Sequence, residues 1–563
     1  MSKYEKLGFE PKKSVGWYNP IQLAKTGIKT IISSIFGNFN DKREIQAALY
    51  QNSDKQHFYD YRDHDEVWID YISDLGDGFD ATYTMASLVA KPELELEGEK
   101  TKRGNILIMG GDQVYPTASR EEYKNRLKGP YELALPRQEE GQDRPQLFAI
   151  PGNHDWYDGL TNFLKTFGQK RKIGNWQTQQ QRSYFAIQLP HNVWIFGIDV
   201  QLNSDIDHNQ LRYFNDITEK YVEDGSKIIL CTAEPSWVYS GSGKGDAYRN
   251  LKFFETWFAN TPPSEGSKEN PISQKKRTQV LTLAGDLHHY SHYIADDQSH
   301  KITAGGGGAF MHPTQNLPDT INGVREGDLK KETTFPSSGK SKSLLFRNLW
   351  FNFTNWRFSA FLGIFYAITG WFMYLALNTI SPAPGLSQII GNLYYSPATF
   401  ILLTILVLGL TLFTDTHPVT PRFPSWVYRL AGFVHGVLQG FLLLIVFWGL
   451  ITFLPDPKLG LTLLGMIAGG FLISSFTFGC YLTLTNLFLN IHDNESYSAL
   501  KYEGYKNFLR IHITKEKITV YPVGVEKVNK WKYKEENGKA SFSSEHPIRH
   551  TLIEEPITID LSS

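Results

Sequence analysis

Two kinds of hydrophobic pattern divide the chain. From Val67 to Ala304, short apolar runs recur, each closed by turn-forming residues: Val67–Ile72, Asn105–Met109, Gln146–Ile150, Ser183–Leu189, Val193–Asp199, Lys227–Cys231, Gln279–Ala284 and Lys301–Ala304. Runs of this kind, spaced by helical stretches, predict the strands of an α/β sandwich built on two sheets. Beyond Phe358 the pattern changes: no charged residue occurs from Phe358 to Thr414, from Leu430 to Pro455 or from Leu459 to His492. The first of these stretches has room for two spans of about 20 residues, separated by Ser381-Pro382-Ala383-Pro384-Gly385. Four transmembrane helices are therefore expected over 358–491.

The flanks complete the division. Between Pro20 and Phe39, Ile21, Leu23, Ile28, Ile31, Ile32, Ile35 and Phe36 recur at mostly helical spacing, with Lys25 and Lys29 among them. This amphipathic segment, 1–45, predicts a helix that packs on the catalytic domain, the reading we favour, or lies on a membrane surface. A catalytic domain over 46–325 then leads into a basic linker, 326–357, Lys-rich from Glu326 to Ser343 and suited to anionic headgroups. In the tail, 492–563, Phe508–Thr514 and Ile518–Val523 alternate around Lys515-Glu516-Lys517 and predict a β-hairpin without visible chemistry of its own.

Whole-chain averages conceal this organisation, since 41% hydrophobic residues and a net charge of -1 resemble an ordinary soluble protein. The distribution of charge says more. Lys340, Lys342, Arg347 and Arg357 precede the first span, Arg422 and Arg429 separate the second from the third, and Lys501, Lys506 and Arg510 follow the fourth. The intervening loops carry only Lys458, so the positive-inside rule places both termini and the catalytic domain in the cytosol. Met1–Pro20 has no secretory signal, and two cysteines, Cys231 and Cys480, provide no disulfide framework. No basic stripe with interleaved aromatics marks a nucleic-acid partner, and nothing in the pattern specifies an oligomeric state.

Candidate chemistry sits where strands end. The clusters are Asp74-Leu75-Gly76-Asp77, Gly111-Asp112-Gln113-Val114-Tyr115, Gly152-Asn153-His154-Asp155, Ala233-Glu234-Pro235 and Gly285-Asp286-Leu287-His288-His289. An α/β scaffold gathers such groups at one sheet edge, and these donors suit two divalent ions about 3.5 to 4 Å apart that hydrolyse a phosphate ester. Asp112 would bridge the ions, Asp74 would hold one and Asn153 the other. His154 would bind phosphate or protonate the leaving group, with Asp155 orienting its ring.

Through Asp74, Gly111-Asp112, Gly152-Asn153-His154-Asp155 and the Gly285-to-His288 cluster, residues 66–310 resemble the calcineurin-like metallophosphoesterase superfamily. The departures are specific. Gly76 stands where the superfamily usually has a histidine; purple acid phosphatases share that glycine and supply a tyrosine three residues after the bridging aspartate. Tyr115 occupies that place, which implies a phenolate ligand; a packing role ahead of Pro116 and substitution by Asp77 are the alternatives. Ala233 replaces a further family histidine, with Glu234 beside it, and Asp286 replaces the first histidine of Gly-His-x-His while His288 keeps the second.

The implied ligand sets are Asp112, Asn153, Asp286 and Glu234 for one ion, and Asp74, Asp112 and His288 for the other. Oxygen-rich sets favour hard ions, so two manganese ions are expected first, with magnesium, or iron if Tyr115 ligates, as alternatives. Arg120 would grip phosphate through its guanidinium, and His312, after Gly305-Gly306-Gly307-Gly308, would reach the rim. The expected function is membrane-anchored hydrolysis of phosphate mono- or diesters by a metal-bridging hydroxide, with a substrate in or near the bilayer, such as a lipid headgroup. A membrane-anchored binding or sensor protein with a degenerate site is the alternative.

Overall fold

In the computed structural model, residues 4–36, 58–138, 144–200, 206–240, 248–260, 275–324, 327–377, 385–393, 396–454, 458–536 and 539–561 are described. Residues 37–57, Glu326 and the Ser381–Pro384 break lie outside them, as do the side chains of Ile31, Ile32, Ile35 and Phe36. The chain divides into two compact units: Met1–Val15, Thr26–Ser338 and Tyr502–Ser563 form one, and Gly16–Lys25 with Gly339–Lys501 the other.

The first unit holds two nine-stranded sheets. Its principal strands are β1 (Val67–Ile72), β2 (Ile106–Met109), β3 (Gln146–Ala149), β4 (Phe185–Leu189), β5 (Val193–Gly197), β6 (Ser226–Cys231), β7 (Arg277–Ala284), β8 (Tyr290–Ala295), β9 (His300–Ala304), β10 (Gly327–Phe335), β11 (Lys506–Ile513) and β12 (Lys517–Val525). One sheet runs β4-β5-β6-β7-β9-β8-β10, with short strands at both edges; the other runs β12-β11-β1-β2-β3 and continues into two short strands. The pairs β1–β2, β2–β3, β5–β6, β6–β7 and β7–β9 are parallel, so their carboxyl ends lie at one edge.

Period-two alternation explains the layers. Val67, Ile69 and Tyr71 of β1 join Ile106, Ile108, Leu509, Ile511 and Ile513 in the core between the sheets. On the opposite face, Trp68, Ile72, Leu107 and Met109 pack with Met85, Leu88 and Val89 of the helix Phe79–Val89.

The predicted hairpin exists as β11 and β12, and β11 lies inside the sheet, antiparallel to β1, with Arg510 opposite Asp70. Arg510 Nε donates to Asp70 Oδ1 at 2.7 Å and a terminal nitrogen to Oδ2 at 3.2 Å. Both side chains are almost inaccessible to water, and the His512 ring stacks on Trp68 at 3.9 Å. Lys506 and Arg510, counted from the sequence as charges beside the membrane, are thus buried in a sheet. The expected basic linker also differs: β10 pairs with β8, and its lysines are those of a strand near a sheet edge, where charge blocks further pairing.

In the second unit, α2 (Trp356–Leu377), α4 (Ser425–Phe453) and α5 (Leu459–Leu489) are each long and apolar enough to cross a membrane. Three helices reach that length among the described residues where four were expected. The remaining one, α3 (Pro397–Phe413), has 17 residues, because Pro397 opens it at Ser396 and Thr414 leaves helical geometry. Small residues allow close packing: a Cβ added to Gly470 of α5 would meet the Gly363 Cα of α2 at 2.7 Å. The N-terminal pattern forms α1 (Pro20–Phe36), which exposes Ile21, Leu23 and Ile28, while Lys29 Nζ donates to Thr117 Oγ1 at 2.8 Å.

Replacing Arg510 by Met should strand a buried Asp70 charge and cost about 3–5 kcal/mol of stability. Denaturant unfolding of the full chain checks this, and Asp70→Leu combined with Arg510→Met should recover at least half of the loss.

Candidate metal centre

The carboxyl ends of β1, β2, β3 and β7 deliver the clusters to one place. Asp74, Asp112 and Asp286 adopt left-handed backbone geometry, with φ of 59°, 46° and 65°, a region that Asp tolerates better than most residues. Cross-strand bonds fix these turns: Asp74 N–H donates to Gly111 O at 3.0 Å, Leu75 N–H to Asp112 O at 3.0 Å and Gly285 N–H to Ala233 O at 2.9 Å. Close approach then requires glycine. A Cβ on Gly152 would lie 2.0 Å from Asp112 Oδ1, and one on Gly285 2.6 Å from Asp74 Oδ2.

The centre of the arrangement is the Tyr115 hydroxyl, which lies 2.9 Å from Asp74 Oδ1, 3.0 Å from Asp112 Oδ2 and 2.9 Å from His288 Nε2. His288 Nδ1 donates to the Phe310 carbonyl at 2.7 Å, so in the neutral ring Nε2 is an acceptor. Burial, then the nearby His312 and Lys506, hold the His288 imidazole well below its ordinary pKa. One phenolic hydrogen therefore faces three acceptors. Burial and the Asp112 charge push the Asp74 carboxyl well above the usual range, and burial with Asp112, Asp74 and Asp286 does the same to Tyr115. A cation among these oxygens would reverse the penalties on Asp74 and Tyr115, and the neutral imidazole would turn its free lone pair to it. Among the described residues no cage of three or more His, Cys, Asp and Glu ligands is preformed; the phenol occupies the point on which they converge. A second observation agrees: Asn153 Oδ1 is buried without a hydrogen-bond partner among the described residues. The residues present fit a metal.

Around this centre the remaining candidates separate. Asp286 donates its N–H to both Asp74 oxygens, at 3.1 and 3.0 Å, and its side chain is half-buried. Glu234 is half-buried just beyond β6. His154 N–H donates to Asp112 Oδ1 at 2.9 Å, and its Nδ1 bonds the Pro116 carbonyl at 2.7 Å. That carbonyl, rather than Asp155, orients the ring. Asp155 instead accepts from the N–H groups of Gly152 (2.9 Å) and Gln113 (3.1 Å) and from the Tyr123 hydroxyl, tying two strand-end turns together.

Asp77 also turns away from the centre, accepting from Val15 N–H at 2.6 Å with Arg126 at 3.8 Å. Arg120, expected on phosphate, is exposed at the start of the short helix Arg120–Glu122 that Ser119 caps. The ring of His312 stacks on His288 at 4.0 Å, while the adjacent His289 is buried.

Sequence reasoning missed Lys506. It is fully buried, its Nζ donates to the Ala309 carbonyl, and burial lowers its pKa to about 8 against the charges of Glu503, Asp77 and Asp74. The one available signal was its position two residues before the alternating run Phe508–Thr514.

Parallel strands that gather carboxylates, an imidazole and a phenol at their carboxyl edge form the kind of place where an α/β scaffold builds a ligand site. Residues 67–290 match the family model of the calcineurin-like phosphoesterases. No curated protein matches the chain. Among solved structures, that of PhoD aligns at 11% identity with a TM-score of 0.26, covering 44% of this chain. The chain spans 58% of that protein's length.

Burial raises Asp77 to about 6 despite the attraction of Arg126. A raised folded-state pKa makes ionisation destabilising: the penalty is absent below about pH 4 and complete above about pH 6. Asp77→Asn, which keeps an acceptor for Val15, should raise the thermal midpoint by a few degrees at pH 7.5. The difference from the parent chain should vanish near pH 4.

Proposed function

We propose that the chain is a membrane-anchored, metal-dependent phosphoesterase acting on phosphate mono- or diesters. The single observation that carries this reading is the convergence of Asp74, Asp112 and His288 on the Tyr115 hydroxyl. Asp74, Asp112, His288 and Tyr115 would hold one divalent ion, and Asp112, Asn153, Asp286 and Glu234 a second. Bound there, such ions supply charge neutralisation on the phosphoryl oxygens and an activated water.

The chain's own groups do the rest. His154, whose Nδ1 donates to the Pro116 carbonyl, turns Nε2 to the phosphoryl group and, as the doubly protonated imidazolium, delivers the Nε2 proton to the leaving oxygen. Asp155 fixes the Gly152 and Gln113 turns, and through them the spacing between Asp112 and His154. His312, stacked on His288, lines the rim and excludes water from that side. The oxygen-rich set favours manganese, with magnesium or iron as alternatives.

Anchoring rests on the three long apolar helices and on a parity argument. The chain leaves the first unit at Ser338 and re-enters it at Tyr502. A compact unit cannot lie on both sides of a bilayer, so the number of crossings between these points is even. With α2, α4 and α5 crossing, α3 must cross too, and its 17 residues give about 25 Å of helix, close to the hydrocarbon thickness. Lys340, Lys342, Arg347, Arg422 and Arg429 support a cytosolic side for the first unit and both termini. That placement supports a substrate in or near the same bilayer, such as a lipid headgroup.

Purified protein should hydrolyse an aryl phosphate or diester with Mn²⁺. Asp112→Ala should abolish turnover, and His154→Ala should lower kcat about 10²–10⁴-fold. Mn²⁺ uptake by the parent chain without turnover would instead identify a binding protein, and tightly held stoichiometric zinc without a manganese response would overturn the metal assignment. Topology is tested by introducing Gly385→Cys, Ser425→Cys and Lys458→Cys singly and labelling with an impermeant maleimide. Four crossings require Gly385→Cys and Lys458→Cys to label from one side and Ser425→Cys from the other; Gly385→Cys and Ser425→Cys labelling from one side would exclude α3 as a span.

A further inference from the structure

The loop between β9 and the residues around His312 has almost no side chains of its own to hold it, since it begins Gly305-Gly306-Gly307-Gly308. Its order comes from three neighbours. Toward β1, Gly307 N–H donates to Ser73 O at 2.8 Å and Ala309 N–H to Asp74 O at 3.0 Å. Toward the β7–β8 turn, Gly305 N–H donates to His289 O at 3.1 Å and His312 N–H to His288 O at 3.2 Å. The third neighbour is the segment that begins after the apolar helices. Met311 N–H donates to Tyr502 O at 3.3 Å, Asn507 N–H to Gly306 O at 3.2 Å, and Lys506 Nζ to the Ala309 carbonyl. The loop in turn supplies the Phe310 carbonyl that fixes the His288 tautomer.

We propose that Lys506 is a positioning residue of the metal centre: from a strand made after the last apolar helix, its ammonium holds the 305–312 loop, and through it Asp74 and His288. Ala309 is the link, because its carbonyl accepts from Lys506 while its N–H donates to the Asp74 backbone. The carbonyl that orients His288 belongs to the very next residue, Phe310. Close packing leaves the loop no slack: a Cβ on Gly306 would meet the Asn507 side-chain nitrogen at 2.3 Å, and one on Gly305 would meet Asp74 Oδ2 at 2.8 Å. The ammonium also places a positive charge near Asp74 and Asp77. The centre is therefore complete only when the parts of the first unit on either side of the apolar segment have met. The inference rests on the metal-centre reading above and concerns how this chain builds that centre.

The test uses the full chain in lipid nanodiscs. Lys506→Met keeps the buried stem and removes the donor; Lys506→Arg restores one. Hydrogen exchange of the 304–312 amides should rise at least about tenfold in Lys506→Met, and the Mn²⁺ dissociation constant should rise about 10–100-fold, the usual cost of losing an outer-shell partner. With an aryl phosphate, kcat should fall while KM changes little, and Lys506→Arg should recover most of both losses. Unchanged loop exchange with Mn²⁺ affinity within about twofold, in a folded Lys506→Met protein, would overturn the assignment. If that variant fails to fold, Lys506→Gln is measured in the same two ways, and the same outcomes support or overturn the assignment. Should the parent chain bind Mn²⁺ without hydrolysing any ester, the hydrolase reading fails while exchange and affinity still decide the role of Lys506.

Discussion

The pairing of Asp70 with Arg510 is the interaction on which the first unit depends. Two charges removed from water are costly apart and tolerable only together, with their hydrogen bonds made. One comes from the first principal strand and the other from a strand that follows every apolar helix in sequence. Because β11 lies between β1 and β12, it is an interior strand of its sheet, and β12 and the short strands beyond it have no place without it. Asp70 lies on the helix-covered face of β1 while its neighbours Ile69 and Tyr71 face the layer between the sheets, so the pair also fixes register: a slip of β11 by one residue would turn Arg510 into that apolar layer and leave Asp70 unpaired.

The metal centre presents the opposite electrostatic problem. Asp74, Asp112 and Asp286 crowd one phenol and one imidazole, and burial drives the Asp74 carboxyl, the phenol and the imidazole toward their neutral forms. A site so rich in acceptors suits a cation, as the proposed function requires. The strained backbone of the three aspartates is the geometric counterpart of this crowding, since left-handed turns at strand ends aim carboxylates that ordinary strand geometry would turn aside.

Much of this was legible in the sequence because it is local. Strand boundaries agree within about two residues where apolar runs end at turn residues, as in β1, β5 and β6, and the hairpin was visible from alternation alone. The strand-end clusters were legible for the same reason. What the sequence withheld was partnership. Nothing local says that Phe508–Thr514 pairs with Val67–Ile72, and the lysines of Gly327–Phe335 disguise a strand as a linker. Asp155, Asp77 and Arg120 carry suitable groups at suitable positions, yet Tyr123, the Val15 N–H and the Ser119 cap decide where each points. The length of α3 turned on a proline at its start, which a count of uncharged residues does not register.

The four-glycine run invites one more consequence. Glycine loses more conformational freedom on folding than any other residue, so Gly305-Gly306-Gly307-Gly308 has the least intrinsic tendency to hold one shape of any stretch near the centre. The backbone bonds of the run itself borrow order from Ser73, His289 and Asn507. A segment that borrows its order returns it when a lender leaves, so a disturbance at any of these contacts is felt at the others without passing through a side chain. The loop behaves as a common ledge on which three distant stretches of sequence rest, and its bareness lets them lie close enough to share it.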